Sequence, residues 1–355
     1  MTSDGFRLSV MPTHENVRGA VEFWRACERH GLDVIGAADS QNYMREMWVC
    51  LTAAAVATER VKIMTYATNP VTRHPSVTAG AFVALNELAP GRLMMGIGTG
   101  DSALWSMGRK VATIAETRAY VQAVKALCAG EAIEWDGQRF KPAWAYFEPF
   151  DLPVYVMCSG PKILRMAAEV ADGAVVHMGF APEDVAYVRD IVDDGRRAVG
   201  KDPKAFDLWW NTRVVFDQSY DAAAARTLGW MPRWLTMGSM DGKGIPDAYK
   251  EKLKQLNADT HSLATVYKTK NREQIMVERA KELGLYDWLM ARSPRLFGTP
   301  DDVAGRMNEL GRQLGLKQWI LFLIGNDGQN VSGTRPECFA LLEQLTKGVK
   351  PKLTA

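Results

Sequence analysis

Short apolar runs alternate with amphipathic segments along most of this chain, and that alternation restricts the fold more than any other feature. The runs Phe6–Val10, Leu32–Ala37, Val61–Thr68, Arg92–Ile97, Val154–Met157, Ala174–Val176, Asp207–Phe216 and Gln318–Ile324 read as eight strands. Helical periodicity fills Glu15–His30, Met44–Thr58 and the stretch from Pro75 to Pro90-Gly91. It returns from a capping box at Thr113 and Glu116 to Ala129-Gly130, from Pro182 to Val199, and after Pro336. Strands joined through helices pair in parallel. The expectation is therefore a (β/α)8 TIM barrel with insertions, one domain over all 355 residues. A doubly wound open sheet is the rival, but no G-x-G-x-x-G follows the first strand. The dense cluster Gly96–Gly100 follows the fourth strand instead, and Asp101 stands where a third glycine would fall.

Residues 151–177 make the clearest single unit. An apolar strand runs into Ser159-Gly160-Pro161, a helix follows, and Asp172-Gly173 breaks it before a second strand. Proline at the first helical position loses no needed hydrogen bond. The helix start then lies at the carboxyl end of a strand, where free N–H groups and the helix dipole favour a phosphate. An ordinary crossover with nothing bound would use the same residues.

Composition removes several function classes. A content of 47% hydrophobic and 24% charged residues is ordinary for a soluble globular protein. The net charge of +2 gives no reason to expect nucleic acid or a membrane surface as partner. No run approaches the roughly 20 apolar residues of a membrane span. No basic, then apolar, leader opens the sequence, so the expected compartment is the cytoplasm. The five cysteines are scattered without a C-x-x-C pair, and no metal site is expected. Cys158 has no basic neighbour in sequence and reads as a packed residue.

Two stretches break the alternation. Residues 131–150 read as an irregular excursion turning at Asp136-Gly137. Residues 217–298 hold helical patches at Ala222–Leu228, Asp247–Leu256 and Arg272–Leu283, with apolar clusters around Trp230–Trp234 and Tyr286–Met290 that look exposed. A loop this long in a barrel reads as a lid or a pocket wall.

Function in a barrel sits on the loops after the strands. Here those loops are Met11-Pro12, Asp39-Ser40, Ala67–Pro70, Gly98–Asp101, Cys158–Gly160, His177–Gly179 and Gly325-Asn326. They carry few charges and several glycines. No G-x-S-x-G elbow and no metal-ligand spacing occurs. Such a mouth suits a flat, uncharged ring.

The segments Asn69–Pro75, Gly96–Asp101 and Ser159–Lys162 before Ala171–Gly173 resemble the bacterial luciferase-like superfamily. Within it they are similar to methylenetetrahydromethanopterin reductase and its bacterial relatives. The resemblance implies a barrel that holds FMN, or alternatively a 5-deazaflavin coenzyme, at the carboxyl ends of the strands. It implies a phosphate on Ser159 and Gly160 with Gly179 closing the nest, and Ala67, Thr68 and Asn69 beside the ring with a cis Tyr66-Ala67 bond. Gly98, Thr99, Gly100 and Asp101 complete the expected cofactor set. Asp39, His74 and His177 are the candidate catalytic residues. Plainer roles compete: Asp101 as a backbone cap, His74 as a helix-start residue, Arg73 as a salt-bridge partner, and Trp48, Trp105 and Trp144 as core or interface. The first expectation is a two-component monooxygenase that receives reduced FMN from a separate reductase and oxidises a small hydrophobic or aromatic substrate. A deazaflavin-dependent reductase or dehydrogenase is the second, and a non-catalytic flavin-binding barrel the third. A homodimer paired through Met44–Ala57 is also expected.

Overall fold

A computed structural model describes residues 5–144, 148–228, 231–260, 272–325 and 330–354. Strands β1 (Arg7–Val10), β2 (Val34–Ala37), β3 (Lys62–Thr65) and β4 (Leu93–Ile97) are followed by a hairpin, β5 (Ile133–Trp135) and β6 (Gln138–Phe140). Then come β7 (Val154–Cys158), β8 (Gly173–Val176), β9 (Asp207–Phe216), β10 (Phe297–Gly298) and β11 (Gln318–Leu323). Apart from the hairpin and β10, these eight strands pair in parallel, and pairings β8–β9, β9–β11 and β11–β1 close the sheet on itself. The expected (β/α)8 barrel is the fold. Helices α1 (Val17–Arg29), α2 (Met47–Ala57), α3 (Pro75–Leu88), α4 (Ser102–Trp105), α5 (Ile114–Cys128), α6 (Pro161–Val170) and α7 (Pro182–Ala198) lie between strands of the first three quarters. Thr113 and Glu116 form the expected capping box of α5. Within the excursion at 131–150, residues 133–140 form a regular hairpin where the sequence suggested irregular structure. Asp136 and Gly137 both take positive φ, 50° and 72°, the geometry of a tight two-residue hairpin turn.

Strand periodicity sorts the core into two layers. Leu8, Ile35, Ile63, Met95, Val156, Val176 and Leu321 face outward onto the helices. Met11, Val34, Met64, Met94, Tyr155, Val175, Trp209 and Ile320 fill the barrel interior. Close strand approach explains Gly96, where an added Cβ would meet the Thr65 carbonyl oxygen at 2.2 Å. Among the described residues no helix is long and apolar enough to cross a membrane.

Between β9 and β11 the chain leaves the barrel as α8 (Tyr220–Leu228), α9 (Met231–Thr236), α10 (Asp247–Thr260), α11 (Arg272–Glu282) and α12 (Tyr286–Ala291). It rejoins through β10 on the end of β9 and α13 (Pro300–Leu314), and α14 (Pro336–Glu343) closes the chain's helical ring. The apolar clusters that looked exposed in sequence are largely internal. Leu228, Leu253, Leu256, Met276, Leu285, Leu289 and Met290 form a separate core, with Trp288 packed against it. Trp230 lies outside the described residues, as does Asn326. One buried ion pair ties this insertion to the barrel. Arg292, 5% exposed, binds Asp184 at the start of α7 at 2.6 and 3.1 Å. The same guanidinium donates to the carbonyls of Lys243, Gly244 and Met178, which locks the insertion to the loop after β8.

Candidate active site

The carboxyl ends of the strands surround a cavity of about 770 Å³. Of the residues expected there, Asp39, Ala67, Thr68, Asn69, Gly98, Thr99, Gly100, Asp101, Ser159, Gly160 and His177 line it. Two do not. His74 is an exposed helix cap: its Nδ1 accepts from the Ser76 backbone N–H at 3.2 Å, and its ring lies against Trp135 and Phe140. A helix start needs an acceptor for its free N–H groups, and that role removes His74 from the candidate catalytic set. Gly179 also lies elsewhere. It has φ 103°, and a Cβ there would strike Asp184 Oδ2 at 2.1 Å, so it belongs to the Asp184–Arg292 clamp and not to a phosphate nest.

Asp39 is 3% exposed and accepts from Arg73 Nη1 at 2.5 Å and from Thr68 Oγ1 at 2.8 Å. Arg73 also binds Glu46 at 2.9 Å. Asp39 is thus a fixed, paired carboxylate at the cavity edge. Thr68 bridges to β4, donating to the Gly96 carbonyl at 3.0 Å, which brings the Ala67–Asn69 strand end beside the Gly98–Gly100 turn. The Tyr66-Ala67 bond is cis, as the resemblance implied. The Asn69 side chain is consumed locally, accepting from the Val71 and Thr72 N–H groups at 3.0 Å each.

The opposite wall starts at Cys158, a fully buried thiol whose titration burial pushes upward, which agrees with a packing role. Gly160 is the N-cap of α6, extended at φ −166°, and no side chain caps that helix. Its N–H groups are available to an anion. Lys243 of the insertion approaches from the other side, its Cε 3.1 Å from where a Gly160 Cβ would stand. Burial draws the Lys243 ammonium down to about 8, and its Nζ donates to the carbonyls of Trp234, Leu235 and Met237 at the end of α9. Nothing in sequence spacing relates Lys243 to Gly160.

Two more lining groups titrate abnormally. Burial lowers His177 to about 3, so its imidazole is neutral, and its ring centroid lies 4.2 Å from that of Trp234. Burial raises Asp101 to about 6 despite the opposing Arg233, whose Nη2 is 3.3 Å away. Asp101 holds the N-cap position of α4 but makes no side-chain cap bond. Its side chain turns to the cavity instead. Trp105, expected in core or interface, also lines the cavity and stacks under Arg233 at 3.7 Å.

These residues fit a flat, phosphate-bearing ring system. The uncapped α6 start is backed by a lysine, the walls at Ala67–Asn69 and Gly98–Gly100 are backbone, and buried polar atoms await partners. His177, Asn257 and Asn330 line the cavity, and each keeps one buried side-chain atom, Nδ1, Oδ1 and Oδ1 respectively, without a hydrogen bond. A metal centre has no comparable support, since no cluster of three His, Cys, Asp or Glu side chains occurs among the described residues.

Fold and site together define a (β/α)8 barrel protein with a deep, glycine-walled ligand cavity at the carboxyl ends of its strands. The chain belongs to the luciferase-like monooxygenase family, whose pattern matches residues 1–318. It is 28% identical over 311 residues to a 5,10-methylenetetrahydromethanopterin reductase of Methanolobus tindarius, covering 86% of this chain and 90% of that one. It is 32% identical over 211 residues to an F420-dependent glucose-6-phosphate dehydrogenase of Beutenbergia cavernae, covering 56% and 61%. Among solved structures, the coenzyme F420 dependent tetrahydromethanopterin reductase of Methanopyrus kandleri superposes with a TM-score of 0.69 at 21% identity over 99% and 100% of the two chains. A monooxygenase of Streptomyces bottropensis superposes at 0.64 with 20% identity over 97% and 99%, a likeness of fold.

Proposed function

We propose that this chain is an oxidoreductase that binds a deazaflavin coenzyme of the F420 type and exchanges hydride with a small organic substrate. The observation that carries the reading is the match over 86% of the chain to a 5,10-methylenetetrahydromethanopterin reductase, beside the match to an F420-dependent glucose-6-phosphate dehydrogenase. The monooxygenase expectation gives way to the second one, because the family takes in both chemistries and the individual monooxygenases are matched by fold alone, whereas the relatives matched by sequence are reductases and dehydrogenases. The separate flavin reductase belongs to the FMN reading and is not needed by this one.

When bound, the deazaflavin supplies two-electron redox chemistry without oxygen. The protein's part is positional and electrostatic. Ser159, Gly160 and the α6 N–H groups seat the phosphate, with Lys243 adding positive charge behind Gly160. Ala67–Asn69 and Gly98–Gly100 form the flat walls. Asp39, held by Arg73 and Thr68, keeps one orientation at the cavity edge. His177 is a neutral imidazole, able to donate or accept one hydrogen bond without changing the charge of the site. Trp234 and Met237 exclude water from above.

Titration with F420 and with FMN, followed by fluorescence, tests the cofactor assignment. The expected result is F420 affinity at least about tenfold higher. Tighter FMN binding, with oxygen consumed when reduced FMN is supplied, would return the monooxygenase reading. The chain is proposed to act as a homodimer through the outer face of α2 and α3, where Val49, Val56 and Val77 are 57%, 71% and 57% exposed. Light scattering at micromolar concentration tests it, and a monomer removes it.

A further inference from the structure

Lys243 touches two walls of the cavity at once. It is 5% exposed and sits in the loop after α9. Gly242, at φ 72°, turns that loop onto the first turn of α6, so closely that an added Cβ would meet Pro161 Cγ at 2.8 Å. On this side the Lys243 Cε and Nζ lie 3.1 and 4.0 Å from where a Gly160 Cβ would stand. On the other side the ammonium finishes α9. A helix leaves its last carbonyls without partners inside the helix. Thr236 Oγ1 serves those of Pro232 and Arg233, and Lys243 Nζ donates to those of Trp234, Leu235 and Met237 at 3.0, 3.2 and 2.6 Å. An ammonium has three N–H groups, so this set uses all of them, and a cation is favoured at a helix carboxyl end. Trp234 and Met237, whose backbone it holds, line the cavity, and Trp234 packs on His177.

We propose that Lys243 is a positioning residue that couples these walls: an anion seated at Ser159 and Gly160 keeps its ammonium charged, and the charged ammonium holds Trp234 and Met237 in place over the cavity. The inference rests on the phosphate seat of the oxidoreductase reading and adds to it how the insertion's side of the cavity is set. Burial alone draws Lys243 down to about 8, with no carboxylate opposing it. Near that pH the charged and neutral forms are balanced. The neutral amine has two N–H groups for three carbonyls and no charge, so the end of α9 loosens. A nearby anion favours the charged form and tightens it again. The other charged side chains around the site are Lys162 on α6, Asp241 on the same loop, bound to Lys250 of α10 at 3.1 Å, and Arg233 on α9, which faces Asp101. Arg292 of the clamp, paired with Asp184, donates to the Lys243 carbonyl.

Inorganic phosphate is the probe, titrated into the full-length protein by calorimetry in two buffers of different ionisation enthalpy. At about pH 8.5 its binding should take up about half a proton, and its affinity should fall about tenfold between about pH 7.5 and pH 9.5. Hydrogen exchange at about pH 8.5 should show the amides of 231–237 slowed at least about threefold by phosphate, with β1–β4 unchanged. Lys243→Arg, which stays charged throughout, should still bind phosphate but with no proton uptake and a flat pH profile. Lys243→Met should bind it more weakly, again with a flat profile, and its α9 should exchange fast with or without phosphate. Phosphate binding without proton uptake in the parent protein overturns the coupling and leaves the seat standing. So does a pH profile that survives in both variants, or one that Lys162→Met removes instead. Protection of 231–237 that phosphate does not change also overturns it. No phosphate binding at all removes the seat, and this inference with it.

Discussion

The barrel and the insertion after β9 are built by different rules. The barrel's interior and exterior cores follow from a period of two along each strand, so neighbours in sequence decide which side chains face inward. Among the described residues the insertion has its own smaller core, drawn from five helices, and it meets the barrel through the buried Asp184–Arg292 pair and through the packing of Ala223 on Val215 and Ile324. The difference teaches where each property resides. The barrel fixes the cofactor seat through strand ends, and the insertion supplies Arg233, Trp234 and Lys243, which differ from anything the barrel loops offer.

Breaking the clamp tests that division most severely. Arg292→Met leaves Asp184 buried without its cation, and such a loss costs about 3–5 kcal/mol. The expectation is a urea unfolding curve with an early transition for the insertion and a later one for the barrel. A single transition at the wild-type midpoint would show that the two regions are one cooperative unit that does not rely on the clamp.

The second test acts on the barrel side. Gly160→Val keeps an allowed extended backbone but pushes a side chain toward Lys243 and over the α6 N–H groups. Loss of one or two charge-assisted hydrogen bonds, about 2–4 kcal/mol, should weaken cofactor binding roughly a hundredfold with the circular dichroism spectrum unchanged. Unchanged affinity would remove Ser159 and Gly160 from the phosphate seat.

Hydrogen exchange sharpens the comparison. The segment 217–298 should exchange about tenfold or more faster than the barrel strands in the free protein and slow when coenzyme and substrate are both present, as a lid would. Exchange as slow as in β1–β4 makes it a fixed wall.

A smaller effect separates two buried histidines. His14 packs against Trp24 after β1 and burial lowers it to about 4, whereas His177 faces the insertion and falls to about 3. Both folded values lie below the unfolded value of about 6.5, so the unfolded chain binds protons that the native one refuses. Stability is therefore full above about pH 6.5 and is lost as pH falls toward those folded values. His14→Phe should lose less stability than the parent between about pH 7 and pH 5, measured by denaturant unfolding. An identical loss would assign the acid sensitivity to other groups.

Sequence by itself determined the barrel, its eight strands, the capping box at Thr113, the uncapped helix start at Gly160 and most of the mouth loops. Those features are set by local periodicity and by residues whose backbone preferences act within a few positions. Tertiary structure decided the rest. It chose the local helix-start role for His74 over the catalytic one and set Gly179 against Asp184 of the clamp, because a loop residue's direction depends on which neighbour claims it. It paired Asp39 with Arg73, 34 positions away, and Asp101 with Arg233, 132 positions away. It also buried clusters that looked exposed and drew Lys243 to within reach of Gly160. Burial and ion pairing are properties of the assembled volume, and no spacing along the chain encodes which distant side chain will fill a given side of a cavity.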